Sequence, residues 1–194
     1  MNEQSGVELL KSGVVLPQYR IVESFFGNII SSPCRVLDLN CADGFLYQVM
    51  KFFFPYEIDY VGVDEDEGEI EKAQRKDLPI TLKQLPYSNM KLHTDSYDVI
   101  VVQGNYFKCD DLLKKIDNLF RASRQWVVFY NLYVVPECDS YRIMNINGED
   151  KYVYGINYIR ETLNLMEPTS VEYSYIVKGE NPTDPIPSIF AIKI

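Results

Sequence analysis

The sequence has one histidine, one tryptophan, no paired cysteine motif and no excess of positive charge. Each shortage removes a class of function. A lone His93 excludes a histidine-rich metal centre. Cys34, Cys41, Cys109 and Cys138 form no C-x-x-C pair and no zinc spacing. A chain of 194 residues can bury its own core, so a disulfide scaffold is not needed. Lys and Arg number 19 against 28 Asp and Glu, a formal net charge of −9. That balance argues against gripping nucleic acid through its phosphates. The loose basic group Lys108, Lys114, Lys115, Arg121 and Arg124 reads as a solvated helix face. Apolar runs such as Phe52 to Phe54 and Val99 to Val102 fall far short of the roughly 20 residues that span a bilayer. Met1 to Ser5 lacks the basic start and apolar run of a signal peptide. A cytoplasmic protein without a membrane anchor is expected.

What is present is an ordinary globular composition, 46% hydrophobic, with no repeat and no linker. We expect a single domain over 1–194. Residues 1–33 form its N-terminal helical segment, in which Ile21, Val22, Phe25, Phe26, Ile29 and Ile30 have helical spacing. Strands and helices then alternate. Arg35 to Leu39, Asp59 to Val63, Ile80 to Leu82, Tyr97 to Val102 and Trp126 to Tyr130 read as buried strands. Phe45 to Phe54, Glu67 to Lys76 and Asp110 to Phe120 read as helices between them. Continuous apolar strands separated by helices predict a parallel sheet covered on both faces. Asn157 to Met166 reads as a last helix. Ser170 to Val177 and Ser188 to Ile194 are joined by a connection too short for a crossover helix, so they form an antiparallel hairpin.

The informative segment is Val36-Leu37-Asp38-Leu39-Asn40-Cys41-Ala42-Asp43-Gly44. A buried strand enters a tight turn of small residues, and a helix begins at once. Ligands of open α/β sheets bind at that mouth, where backbone approaches closely and the helix start offers free N–H groups. About 20 residues later, Tyr60-Val61-Gly62-Val63-Asp64 ends in a carboxylate suited to the hydroxyls of a ribose. His93 precedes the fourth strand and reads as a surface residue. Asp64-Glu65-Asp66-Glu67 lacks the glycine turn of a calcium loop, so no metal is expected.

VLDLNCADG resembles the first motif of the class I S-adenosylmethionine-dependent methyltransferases, V-L-D-x-G-x-G-x-G. VGVDEDEGEIEKAQRK resembles their ribose-binding segment, YDVIVVQGNY their fourth strand and WVVFYN their fifth. The resemblance runs from Pro17 to Ile194. It implies a three-layer Rossmann-like sandwich with a mostly parallel seven-stranded sheet, its last strand reversed and inserted between the fifth and sixth. It also implies S-adenosylmethionine as cofactor, with S-adenosylhomocysteine as product. Asp38 would reach the amino-acid end of the cofactor through water or backbone, and Asp64, beside Glu65, would hold the ribose. Leu85 and Tyr87 would flank the adenine, and Gln103 would close the site at the fourth strand. The chain departs from the motif at Asn40 and Ala42, where the family carries glycine, and keeps only Gly44. Asparagine tolerates left-handed backbone, whereas the Ala42 methyl crowds the approach.

Asn105 and Tyr106, after the fourth strand, correspond faintly to the D/N-P-P-Y loop of amino-group methyltransferases, without its prolines. They are the candidate catalytic pair. The segment 131–156 reads as a long loop at the ligand end, an insert or lid, with Tyr133 and Arg142 as candidate substrate-binding residues. Its other use is a structural insertion or the contact of a homodimer. The expected function is methyl transfer to an oxygen or nitrogen of a small-molecule metabolite or sugar. The alternative is a catalytically silent methyltransferase-like domain acting as a binding or scaffold partner. A nicotinamide oxidoreductase is disfavoured, because the turn lacks G-x-G-x-x-G.

Overall fold

The computed structural model describes residues 12, 17–86, 90–104, 112–136, 138–175 and 185–194. Helix α1, Pro17–Gly27, begins with a proline whose fixed φ suits the first helical turn. It buries Tyr19, Val22 and Phe26. Strand β1, Cys34–Leu39, is followed by α2, Phe45–Phe53, and β2, Ile58–Asp64. Helix α3, Glu67–Arg75, is capped by Asp66, whose carboxylate accepts from the amides of Gly68 and Glu69. Glutamates in its first turn and Lys72 and Arg75 in its last complement the helix dipole. Then come β3, Thr81–Gln84, β4, Tyr97–Gln103, α4, Leu112–Ala122, and β5, Ser123–Val135. The chain ends with β6, Tyr141–Ile146, β7, Glu149–Gly155, α5, Ile156–Asn164, β8, Ser170–Tyr175, and β9, Ile186–Lys193.

Strands β3, β2, β1, β4 and β5 lie side by side and parallel. On the far side of β5 runs β9, antiparallel to it, and then β8, antiparallel to β9. The last strand is therefore reversed and inserted, as the resemblance implies. Alternate residues of the central strands feed two cores. Leu37, Val61, Ile100, Val127 and Phe190 meet α4 and α5 on one face. Val36, Tyr60, Val99, Val128 and Ile189 meet α1 and α2 on the other.

Two expectations need correction. Among the described residues the sheet has nine strands rather than seven. The segment 131–156 is not a loop: β5 runs on to Val135, and β6 and β7 form an antiparallel hairpin. The signal was in the sequence. Asn147 and Gly148 both have positive φ, 55° and 86°, and an Asn-Gly pair between two strands is the usual turn of a tight hairpin. Gln103 of β4 pairs with Tyr130 of β5, and there β4 ends. Beyond it, Tyr133 to Val135 pair in parallel with Val153 to Gly155, and Tyr133 and Val134 keep β9 on their other side. The hairpin thus continues the sheet past the end of β4. A bulge lies between Tyr130 and Leu132, with Asn131 at φ 60°. Bulges of this kind bend a strand and re-aim its side chains.

Candidate functional site

The carboxyl ends of β1, β2 and β4 form a mouth whose floor is the turn after β1. Asn40, Ala42 and Gly44 have φ of 67°, 45° and 74°. The three glycine positions of the expected motif are thus all left-handed here. Asparagine and glycine adopt that region readily, but alanine pays roughly 1–2 kcal/mol for it. Compensation comes from hydrogen bonds. The amides of Asn40 and Cys41 donate to the carbonyl of Val63, and the amide of Gly44 to that of Cys41. Gly62 makes room beneath: a Cβ there would sit 2.8 Å from the Cys41 sulfur.

Asp64 ends β2 and is almost fully buried. One carboxylate oxygen accepts from the Ala42 amide at 2.8 Å and the other from the Asp66 amide at 2.9 Å. It therefore ties the first turn to the second. Each oxygen has a second lone pair for a further donor. Leu85 follows β3, its amide donating to the Asp64 carbonyl. The Gln84 side chain donates to the Glu65 carbonyl at 3.3 Å. Glu65 is exposed beside this cluster.

Asp38 is completely buried on the face covered by α1 and α2. The Gln103 amide nitrogen donates to its two oxygens at 2.9 and 2.7 Å, and the Tyr60 hydroxyl donates to one of them. Burial pushes the Asp38 carboxyl up to about 7. The hydrogen bonds from Tyr60 and Gln103 oppose that rise, and the charge of Asp64 adds to it. The Tyr60 hydroxyl is raised well above its ordinary value by burial and by Asp38. Burial, with Tyr19 and Asp38, pushes Tyr130 up to about 12.

The structure thus brings Asp38, Asn40, Ala42, Gly44, Asp64 and Gln103 to one mouth, with Glu65 and Leu85 at its β2–β3 side. Tyr87, Asn105 and Tyr106 lie outside the described residues. Tyr133 and Arg142 are each in register with Val153, so the two share a row across β5, β7 and β6. Two strand spacings, about 10 Å, separate their backbones. His93 is exposed, as expected. Among the described residues no group of three or more His, Cys, Asp or Glu is placed to hold a metal. Sequence reasoning missed Tyr60; its signal was a hydroxyl-bearing residue at an interior position of an otherwise apolar strand. It also missed an open pocket of about 640 Å³ at the root of the hairpin, lined by Pro136, Cys138, Asp139, Asn157, Tyr158 and Glu161.

Residues 20–139, more than half of the chain and including the whole mouth, match the family of methionine biosynthesis protein MetW. The chain belongs to the MetW family. The match ends where the β6–β7 hairpin is about to begin, so the hairpin is outside the part of this MetW-family chain that carries the family pattern. No curated protein sequence matches it. Solved structures do. An S-adenosylmethionine-dependent methyltransferase from Methanosarcina mazei is 12% identical, covers 87% of this chain and 96% of its own, and has a TM-score of 0.65. The 1,6-didemethyltoxoflavin-N1-methyltransferase of Burkholderia thailandensis, solved with 1,6-didemethyltoxoflavin and S-adenosylhomocysteine, is 13% identical, covers 97% and 83%, and has a TM-score of 0.66. The magnesium protoporphyrin IX methyltransferase of Synechocystis PCC 6803, solved with S-adenosylhomocysteine, is 13% identical, covers 92% and 84%, and has a TM-score of 0.63. At these identities the likeness is one of fold: this MetW-family chain has the Rossmann-like fold of class I methyltransferases.

Proposed function

We propose that the chain binds S-adenosylmethionine at the mouth of β1, β2 and β4 and transfers its methyl group to an oxygen or nitrogen of a small molecule. The observation that carries this reading is the turn after β1. Three alternate residues are left-handed although only one is glycine, so the backbone path is kept where the sequence departs from the motif. The residues fit the group. Asp64 is fixed by two backbone amides and retains lone pairs for ribose hydroxyls. Leu85, half-buried beside it, offers an apolar wall for a base. Asp38 places a carboxyl beneath the turn, toward the cationic methionine end.

When bound, the cofactor supplies a methyl group already activated on a sulfonium, so alignment of the acceptor is the protein's main task. A strong base is not obligatory, which suits a chain with a single, exposed histidine. The β6–β7 hairpin extends the sheet past the mouth. In this reading it forms the acceptor wall or lid, with Tyr133 and Arg142 on one row. Asn105 and Tyr106, which follow β4 in the sequence, are the proposed catalytic pair. A cytosolic location belongs to the same reading, supported by free thiols at Cys34, Cys41 and Cys138.

A second reading, a catalytically silent methyltransferase-like domain serving as a binding or scaffold partner, is favoured by one observation. Ala42 puts a methyl group on left-handed backbone at the floor of the mouth. Calorimetric titration with S-adenosylmethionine and S-adenosylhomocysteine tests both. Micromolar binding, lost in Asp64→Ala, supports the cofactor site and opens an acceptor screen. No binding by the folded wild type at millimolar ligand removes the methyltransferase reading.

A further inference from the structure

Tyr60 is a tyrosine where packing asks only for an aromatic ring. It is fully buried in β2, among Val36, Val99 and Val101, with its ring 5.3 Å from that of Tyr47 in α2. A phenylalanine would fill the same space. The hydroxyl instead donates to Asp38, and Gln103 donates to the same carboxylate from β4. Both donors, one from each neighbouring strand, bond to the charged form of that carboxylate. Such donors favour the charged state that burial opposes. Gln103 is also the residue before Gly104, whose φ of 54° turns the chain at the end of β4. The clamp therefore joins β2, β1 and the end of β4.

The other groups acting on or around Asp38 supply no positive charge. They are Asp64 on β2, Cys41 in the turn and Tyr130 on β5, with Tyr19 of α1 behind Tyr130. All are acids or neutral. Resting on the cofactor reading above, we propose that Tyr60 is a positioning residue which, with Gln103, keeps the Asp38 carboxylate ionised for the ammonium at the methionine end of the cofactor. Tyr60 itself touches no ligand in this account. It acts through Asp38.

The sign of the effect is fixed. Removing a donor to the charged form raises the Asp38 pKa, so more of it is protonated near neutrality and a cationic ligand loses its partner. Raising the pH restores the carboxylate and the affinity. A merely structural defect would not be repaired by pH.

The test is calorimetric titration with S-adenosylhomocysteine, which carries the same ammonium, from about pH 6 to about pH 9, on wild type, Tyr60→Phe and Gln103→Leu. Wild-type affinity should fall below about pH 7. Tyr60→Phe should bind about fivefold more weakly at neutral pH, the effect of a rise of about one pKa unit, and return to within about twofold of wild type at the alkaline end. Gln103→Leu should move in the same direction. In the ligand-free protein, the carboxyl carbon shift of Asp38 should titrate at higher pH in Tyr60→Phe than in wild type. An equal loss at every pH, or an unmoved Asp38 titration, overturns the proposal. Absence of wild-type binding at any pH is a different result and sinks the cofactor reading itself.

Discussion

The two ends of β5 belong to differently built halves of one sheet. Toward β1, the mouth is made of short parallel strands, buried carboxylates and hydrogen bonds from backbone amides and from the Tyr60 and Gln103 side chains. Toward the hairpin, β5 outruns β4 and meets β7 and β6, which expose Tyr141 and Ile143 and carry ring contacts among Tyr141, Tyr152 and Tyr154. The first half is built around fixed backbone. The second presents exposed side chains on a paired hairpin, which under the proposed function would face the acceptor. The family match stops between them.

The sharpest way to break this division is at Gly155, where the hairpin is anchored. Its amide donates to the Ser140 carbonyl, and an added Cβ would lie 1.6 Å from the Cys138 carbonyl oxygen. Gly155→Ala should lower unfolding stability by about 3 kcal/mol, at the upper end for overpacking, as read from denaturant midpoints. If the halves are separate, the folded variant should still bind S-adenosylhomocysteine within about twofold of wild type. In the other half, Asp64→Ala removes a buried acceptor of two backbone amides. Loss of charge-assisted bonds of about 1.5–3 kcal/mol each should weaken ligand binding by about a hundredfold, measured by calorimetry.

Asp38 gives a pH signature. Its folded pKa, about 7, lies above the ordinary carboxylate value, so the folded state holds a proton that the unfolded chain has released. The Asp38 contribution to stability is therefore lost progressively as pH rises from about 4 to about 7. Asp38→Asn does not titrate. Melting curves should show the variant gaining on wild type across that window and no further above it. Smaller still, Ala42→Gly relieves a left-handed alanine and should stabilise by about 1 kcal/mol without loss of ligand affinity. Smallest is Ile143→Ser on the exposed face of β6: stability should change by no more than about 0.5 kcal/mol, while turnover of an identified acceptor should fall.

The same division decides what could be read from the sequence. The mouth was legible because its determinants are local. A buried strand, a turn of small residues and a carboxylate at the end of the next strand announce themselves by order and spacing, and Asp38, Asn40, Ala42, Gly44 and Asp64 fell where the pattern put them. That Asn40 and Ala42 would both be left-handed was not legible, since alanine argues against it; the Val63 carbonyl and the Asp64 carboxylate impose it from β2. The Tyr60–Asp38–Gln103 clamp spans three strands and depends on their register. The hairpin was misread as a loop because its strands mix polar and apolar residues without clear alternation, although Asn147-Gly148 marked the turn. The pocket at its root joins Pro136 to Glu161 across α5 and β5, a meeting set only by tertiary packing.

The most direct test of the central claim, a cofactor held by the turn after β1, is a map of amide chemical-shift changes when S-adenosylhomocysteine is added to the ¹⁵N-labelled protein. The largest changes should fall on Asn40 to Gly44 and on Asp64 to Asp66. Changes centred on Pro136 to Glu161 with the turn untouched, or no changes at saturating ligand, would contradict it.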